Sequence, residues 1–290
     1  MRLDDLRPSD NVDDRRGEDY GGGGGFGGRG MVFGGGGLGL VVLLVAMFFG
    51  VDPSQLLNGG PGPAVERQAR QDVGSCAEDG DCQFARKIIG SAEDVWAPLM
   101  QQQGVRFIPA TFTPYDYATP TGCGTGQSSA GPFYCPGDEH IYLDLSFFNE
   151  LSQRFGAPGD FARAYVIAHE YGHHIQNLMG TMDRRGIGGY GPSSGADSDS
   201  VRTELQADCY AGVWAYHANQ QFRTIEAGDV EGAIKAASGV GDDTLQKESR
   251  GYVVPDSFTH GTSAQRVRWF QRGLDGGRVD ACDTFSARNL

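Results

Sequence analysis

The stretch HEYGH, residues 169–173, lies within DFARAYVIAHEYGHHIQNLMG, residues 160–180, and the rest of the chain is organised around this segment. Apolar residues recur at helical spacing through it, so it predicts a helix with an N-cap at its first residue and a glycine stop at its last. Because residues four apart share a helix face, His169 and His173 can bind the same metal ion. Glu170 lies beside that face, where it can take a proton from a water molecule on the metal. Two core histidines on an amphipathic helix are the alternative interpretation.

A second motif, ELQAD at residues 204–208, lies on another predicted helix. Catalytic zinc usually takes three protein ligands and keeps one position for water, and Glu204 is the candidate for the third ligand. Asp208 is one turn further along the same face, where its carboxylate can accept a hydrogen bond from a ligand histidine and orient that ring. The alternative is an ordinary solvated acidic helix face.

Length and composition bound the class of protein. The chain has 290 residues, 39% of them hydrophobic, which is enough for one sizeable domain with appendages. Its formal net charge is −13, so no basic face is available and nucleic acid is not an expected partner.

Six cysteines are present, and none forms a C-x-x-C pair, so a cysteine zinc site is poorly supported. An even number at separated positions is typical of disulfides in an oxidising compartment. Short loops favour Cys76–Cys82 and Cys123–Cys135, which leaves Cys209 with Cys282. Six reduced, buried thiols in a cytosolic protein are the alternative.

The N-terminal part predicts a membrane attachment. Residues 1–30 are polar and glycine-rich and are expected to form a disordered cytoplasmic tail. Residues 31–51 carry no charged residue, so residues 31–52 are expected to form an uncleaved, single-pass transmembrane signal anchor. A cleaved signal peptide is the competing interpretation. Residues 53–75 are a linker rich in glycine and proline, and the globular domain is expected to cover residues 76–290.

The remaining pattern predicts an α+β domain that is mostly helical with a small sheet. Residues 140–148 alternate between apolar and polar and predict a half-buried strand, whose residues 141–145 are expected to form a cleft edge that pairs with an extended peptide. Residues 105–119 suggest a strand with turn residues, and residues 121–136 a loop. Further helices are expected at residues 84–103, 201–219, 228–239 and 263–273.

These motifs together resemble one family. HEYGH followed by ELQADCYAGVW resembles the gluzincin-type zincins, and more narrowly the bacterial membrane-anchored neutral zinc metallopeptidases of the YpfJ type. The matching segments are residues 9–16, 121–124, 131–136, 142–148, 165–174, 204–214 and 254–263. The resemblance implies a zincin-like peptidase domain with Zn²⁺ held by His169, His173 and Glu204, and with Glu170 as the general base.

Departures from neighbouring families narrow the ligand set. A metzincin needs glycine and histidine where this chain has Gln176 and Met179. Asp183 stands where an aspzincin has its third ligand, although the residues that complete that pattern are missing, so Asp183 is a minor candidate. His260 resembles the Thr-His segment that follows the zinc site in some membrane-associated gluzincins. It is therefore a candidate catalytic donor to the transition-state oxyanion, or else a loop-capping histidine.

Five further residues are assigned structural or surface roles. His174 points about 100° away from His173 on the helix and is expected to be structural or exposed. The others carry no motif and are expected in the core or on helix surfaces: His140, His217, Arg266 and Arg268.

The sequence therefore predicts a cell-membrane, single-pass zinc metalloendopeptidase whose catalytic domain is extracytoplasmic and whose substrate is a protein or peptide. The rival interpretation is a non-catalytic zinc-binding envelope protein that acts as a binding or structural module. A fourth protein ligand on the metal would favour the rival, and His174 and Cys209 are its first candidates. The pattern defines no oligomeric state.

Overall fold

The computed structural model of the chain describes residues 1–18, 75–182 and 194–290. Within these ranges it is a helix-rich α+β fold with two small sheets. The helices are α1 (Gly80–Gln102), α2 (Phe147–Gln153), α3 (Asp160–Leu178), α4 (Asp199–Phe222), α5 (Asp229–Gly239), α6 (Asp242–Arg250) and α7 (Ser263–Gly276). The strands are β1 (Thr111–Pro114), β2 (Ala118–Thr121), β3 (Gly124–Gln127), β4 (Phe133–Cys135) and β5 (His140–Leu143).

Helix α3 carries the HEYGH motif and lies at the centre of the helical layer, in contact with α1, α4 and α5. The N-cap was predicted at Asp160, but the helix begins at this residue and its N-cap is Gly159, which has no side chain to cap it. The chain turns at Gly180, which has a φ of 68° that favours glycine. Aromatic contacts fix the N-terminal half of α3. Phe161 stacks on Trp214 of α4, and the Tyr165 ring meets Phe270 of α7 edge to face.

Helices α4 and α7 pack along most of their length, and glycines allow their close approach. A Cβ atom at Gly212 would collide with the backbone at Phe270, and one at Gly273 would collide with the backbone at Cys209. Each helix therefore presents a glycine where the other's backbone passes. This packing fixes the position of α4, which carries Glu204 and Asp208.

The larger sheet has the strand order β1-β5-β4, with β5 parallel to β1 and antiparallel to β4. Because β5 is paired on both sides, the expectation that residues 141–145 form a cleft edge is wrong. The expected half-burial is wrong as well, because Ile141, Tyr142 and Leu143 are all buried. Tyr142 faces a separate apolar cluster with Tyr115, which covers the second face of the strand.

Three disulfides connect the six cysteines in the predicted pairs: Cys76–Cys82, Cys123–Cys135 and Cys209–Cys282. The first lies at the start of α1, and the second links β4 to the loop between β2 and β3. The third ties the C-terminal segment back to α4 across 73 residues of sequence.

The predicted disorder of residues 1–30 is wrong for residues 1–18. Leu6 and Ser9 are buried, and Val12 pairs in parallel with Phe112 beside β1. The segment has no hydrophobic periodicity because it lies extended on other elements and forms no helix, so a search for periodicity cannot detect it.

The predicted signal anchor, residues 31–52, lies outside the described residues, and so does the linker except for its last residue. Among the described helices, none is both long and apolar enough to span a membrane. The predicted helices at residues 84–103, 201–219, 228–239 and 263–273 are confirmed with shifts at their ends. Helices α2 and α6 were not predicted, because nine residues or fewer give too short a pattern.

Candidate metal centre

The three predicted ligands come together in one cluster. His169 and His173 lie one turn apart on α3, and Glu204 faces them from α4. The His169 Nε2 atom lies 3.2 Å from one Glu204 carboxylate oxygen, and the His173 Nε2 atom lies 3.6 Å from the other. The three ligand atoms lie within 4.8 Å of one another. This spacing allows one ion to contact all three.

The glycine of HEYGH brings the two helices this close. A Cβ atom at Gly172 would lie only 2.9 Å from the carbonyl oxygen of Ala207 on α4. A larger side chain would therefore separate α3 from α4 and draw Glu204 away from the histidines. The fourth residue of the motif sets the distance between the ligands, although it takes no part in the chemistry.

Each ligand histidine has its second ring nitrogen held by an acceptor. The Nδ1 atom of His169 lies 2.8 Å from Asp208 Oδ1, and the Nδ1 atom of His173 lies 2.8 Å from Gln176 Oε1. Because both oxygens accept, the neutral form of each ring carries its hydrogen on Nδ1 and leaves the Nε2 lone pair for a metal. Two oriented imidazoles and one carboxylate are a donor set that fits Zn²⁺.

Asp208 belongs to a buried network behind His169. Arg266 donates to both carboxylate oxygens of Asp208 at 2.9 Å, and the Tyr165 hydroxyl donates to Oδ1 at 2.5 Å. The expected surface position of Arg266 is therefore wrong, since its guanidinium is buried on the inner face of α7. Arg268, two residues further on, is exposed as expected.

The network fixes the charge of Asp208. Burial alone would raise the pKa of its carboxyl group, but the Arg266 guanidinium and His169 lower that pKa to about 2. Asp208 is therefore ionised at neutral pH and accepts four hydrogen bonds, two from Arg266, one from His169 and one from the Tyr165 hydroxyl. An ionised acceptor holds the His169 ring more firmly than a neutral one.

A second relay of hydrogen bonds supports His173. The amide nitrogen of Gln176 donates to the Thr203 carbonyl at 2.8 Å and to the Gln206 side-chain oxygen at 3.0 Å. Gln206 in turn donates to the carbonyl of Cys282, next to the Cys209–Cys282 disulfide. This relay fixes the amide orientation of Gln176, so its oxygen faces His173.

The cluster is electrostatically suited to a cation. Burial would lower the pKa of His173, yet the Glu204 carboxylate raises it to about 9. Burial would likewise raise the pKa of Glu204, but His173 and His169 hold it well below its usual range. Positive charge is thus favoured among these three groups, whether it is carried by protons or by a metal ion.

Glu170 is a buried carboxylate close to the two histidines. It is buried, with 8% of its surface exposed, and burial raises the pKa of its carboxyl group. The positive charges of His169 and His173 act on it in the opposite direction, so it lies close to both. Among the described residues its carboxylate has no hydrogen-bond partner, and it remains available to a water molecule or a substrate.

His260 lies near the cluster and is held by Asp242. The Nδ1 atom of His260 is 3.3 Å from an Asp242 oxygen, and the other oxygen accepts the backbone N–H groups of Thr259, His260 and Gly261. Burial would lower the pKa of His260, but Asp242 raises it, and the His260 charge lowers the pKa of Glu204. The side chain is 29% exposed, so the ring is accessible to a ligand from solvent.

The remaining histidines and Cys209 have partners away from the cluster. His174 contacts the Tyr134 hydroxyl and the Ile108 carbonyl, and Cys209 is in a disulfide. His140 contacts Thr113, and His217 contacts the Gly277 carbonyl. Asp183 lies outside the described residues. Within the described part of the chain, the metal cluster contains three ligands, which leaves coordination positions for water or substrate.

Four supporting residues were not predicted from the sequence: Tyr165, Gln176, Asp242 and Arg266. One signal was available, since Tyr165 and Gln176 lie four residues before His169 and three after His173 and therefore share their helix faces. Asp242 and Arg266 lie on other elements, and no local pattern connects them to the motif.

The described chain is a helix-rich α+β protein with a candidate His-His-Glu metal centre. Comparison with known protein families identifies the family to which it belongs. The family model described as "Putative neutral zinc metallopeptidase" matches residues 1–285, and the chain belongs to that family. This membership extends over the N-terminal segment as well as the metal centre.

Two relatives illustrate the family. The chain is 46% identical over 289 residues to "Uncharacterized protein YpfJ" of Escherichia coli (strain K12), an alignment that covers 98% of this chain and 99% of that protein. It is 40% identical over 265 residues to "Uncharacterized protein Rv2575" of Mycobacterium tuberculosis (strain ATCC 25618 / H37Rv), covering 84% and 86%. No solved structure matches the chain significantly.

Proposed function

We propose that this protein is a zinc-dependent metalloendopeptidase that hydrolyses peptide bonds in a protein or peptide substrate. One observation carries the proposal: His169, His173 and Glu204 form a three-ligand cluster beside the buried carboxylate of Glu170. Three ligands with open positions are typical of catalytic zinc, whereas structural zinc is usually bound by four protein ligands.

Each residue has a defined role in this mechanism. Bound zinc supplies a Lewis acid that polarises the scissile carbonyl and lowers the pKa of a water molecule to about 7. Glu170 takes a proton from the attacking water and delivers it to the leaving amine. Asp208 and Gln176 hold the ligand imidazoles in orientation through their Nδ1 atoms.

His260 is proposed as the donor to the transition-state oxyanion. Asp242 engages its Nδ1 atom, and the described residues offer no partner to its Nε2 atom. Its raised pKa favours the imidazolium, which donates a stronger hydrogen bond than the neutral ring. This arrangement pre-orients the donor, so little reorganisation is needed during the reaction.

We place this activity outside the cytoplasm. Support comes from the three disulfides, which form and persist in oxidising compartments. Attachment to the cell membrane through residues 31–52 remains a prediction from the uncharged run.

The rival function, a zinc-binding structural or binding module, loses support because its two named fourth ligands are occupied elsewhere. His174 is engaged by Tyr134 and Ile108, and Cys209 by Cys282. A module of this kind would still bind zinc, so metal content alone does not separate the two functions.

The test combines metal analysis with peptide cleavage by the full-length protein. We expect about one zinc per chain, cleavage of casein or of a mixed peptide library, loss of cleavage with a chelator, and recovery when zinc is returned. Stoichiometric zinc without cleavage of any library peptide would favour the structural module. A chain that binds no zinc at neutral pH would contradict both functions.

A further inference from the structure

Helix α1 is shaped to receive the N-terminal segment. Gly90 is buried in the middle of α1, where glycine is unfavourable relative to alanine. A Cβ atom at this position would collide with the carbonyl oxygen of Arg7 and would lie 3.0 Å from the amide nitrogen of Ser9. The glycine is explained because the backbone of residues 7–9 crosses the helix at this point.

Glu93, one turn further along α1, depends on the same segment for its partners. Its carboxylate accepts hydrogen bonds from Arg7 at 2.8 Å, Ser9 at 2.6 Å and Asn11 at 2.8 Å. The residue is only 5% exposed, and among the described residues all its side-chain partners belong to the N-terminal segment. The segment therefore supplies the hydrogen bonds that a buried carboxylate needs.

The segment also covers the edge of the larger sheet. The amide of Phe112 donates to the carbonyl of Asn11 at 2.9 Å, and Asp13 donates back to Phe112 at 2.8 Å. Arg15 continues the pairing with Pro114 at 2.9 Å. Residues 11–15 therefore satisfy backbone groups that β1 would otherwise expose at a sheet edge.

These contacts restrict the topology of the chain. A segment that supplies hydrogen bonds to Glu93 and to the edge of β1 must be in the same aqueous phase as those groups. We propose that residues 1–18 and the domain of residues 75–290 lie in the same compartment, so that the chain does not change sides of a membrane between residues 18 and 75.

The proposal replaces the predicted cytoplasmic tail. A single crossing by residues 31–52 would place residues 1–18 and the domain on opposite sides and would break the contacts of Arg7, Ser9 and Asn11. If the domain is extracytoplasmic, as its disulfides favour, the N-terminal segment is extracytoplasmic with it. The inference is independent of zinc and of catalysis.

Cysteine labelling in cells tests the proposal. Asp5→Cys and Tyr252→Cys each add one thiol at an exposed position, the first in the segment and the second in the domain, where Tyr252 is 62% exposed. The parent chain is the control, because all six of its cysteines are paired. The probe is a membrane-impermeant maleimide, applied to intact cells and then to permeabilised cells.

The two thiols should behave alike: both should react in intact cells, or both only after permeabilisation. Reaction of one thiol in intact cells and of the other only after permeabilisation would overturn the proposal.

A separate measurement checks the contact itself in the purified full-length protein. Gly90→Ala should lower the melting temperature, whereas Gly232→Ala, with no atom closer than 3.9 Å to the added Cβ, should not. A higher melting temperature for Gly90→Ala would show that the segment does not lie on α1.

Discussion

Arg266 and Asp208 form a buried ion pair in which two guanidinium nitrogens contact the two carboxylate oxygens at 2.9 Å. The pair lies directly behind His169, whose Nδ1 atom is 2.8 Å from the same carboxylate. A candidate metal ligand on α3 is thus oriented by a carboxylate on α4 that is itself held by an arginine on α7. The candidate metal centre depends on the packing of three helices.

Removal of the Arg266 guanidinium should therefore destabilise the domain. Arg266→Leu leaves the buried Asp208 carboxylate without its counter-ion, and we expect a loss of about 3–5 kcal/mol in the free energy of unfolding. Arg268→Leu, on the exposed face of the same helix, should change it by less than about 1 kcal/mol. Urea unfolding of the zinc-free protein measures both. If Arg266→Leu and Arg268→Leu lose the same free energy of unfolding, the ion pair adds nothing to stability.

Removal of the acid's charge should weaken metal binding. Asp208→Asn keeps the shape of the side chain but replaces the carboxylate behind His169, and we expect zinc affinity to fall about 10–100-fold. Competition with a chromogenic chelator measures the affinity, and Asp256→Asn at an exposed position is the control. Unchanged affinity in Asp208→Asn would contradict its role in orienting the ligand.

The close packing of α3 against α4 leads to a further prediction, which concerns Gly172 in HEYGH. In Gly172→Ala the new Cβ would lie 2.9 Å from the Ala207 carbonyl oxygen, so the helices must separate and move Glu204 away from the histidines. We expect weaker zinc binding together with lower stability. Gly232→Ala is the matched control on α5. If Gly172→Ala binds zinc like the parent chain, the close approach of the helices does not set the ligand geometry.

The local parts of the metal centre could be predicted from sequence, and the long-range parts could not. Residues 169–173 and 204–208 each place their functional groups on one helix face, so spacing alone predicts which side chains point together. The pairing of Cys209 with Cys282 also followed by elimination, once the short loops had been assigned. Each of these inferences needs only helix geometry or loop length.

Contacts between distant elements leave no such signal. Arg266 looks like an ordinary polar residue on an amphipathic helix, because its partner, Asp208, lies 58 residues earlier in the chain. Residues 1–18 look disordered for a similar reason, since Ser9 and Asn11 are satisfied by Glu93 on another helix. The strand at residues 140–143 was assigned one exposed face because alternation cannot reveal what covers the other face.

The pKa of His173 predicts the pH dependence of metal binding. In the zinc-free protein Glu204 raises this pKa to about 9, so the imidazole is mostly protonated at pH 7 and must lose its proton to bind zinc. Zinc affinity should therefore rise with pH up to about 9, by roughly tenfold per pH unit for each proton released. Calorimetry in buffers of different ionisation enthalpy counts these protons. An affinity that is constant between pH 6 and 8 would contradict the coupling of His173 to Glu204.

In the proposed mechanism, His169, His173 and Glu204 hold the metal while Glu170 transfers protons only. Glu170→Gln separates the two roles, because the amide retains the size of the side chain but cannot accept the proton from water. Zinc content and casein cleavage should be measured on the same preparation, with the exposed Glu150→Gln variant as the control. We predict that Glu170→Gln keeps about one zinc per chain and cleaves roughly 10²–10⁴-fold more slowly than the parent. Cleavage at the parent rate, or loss of zinc from this variant, would contradict the assignment.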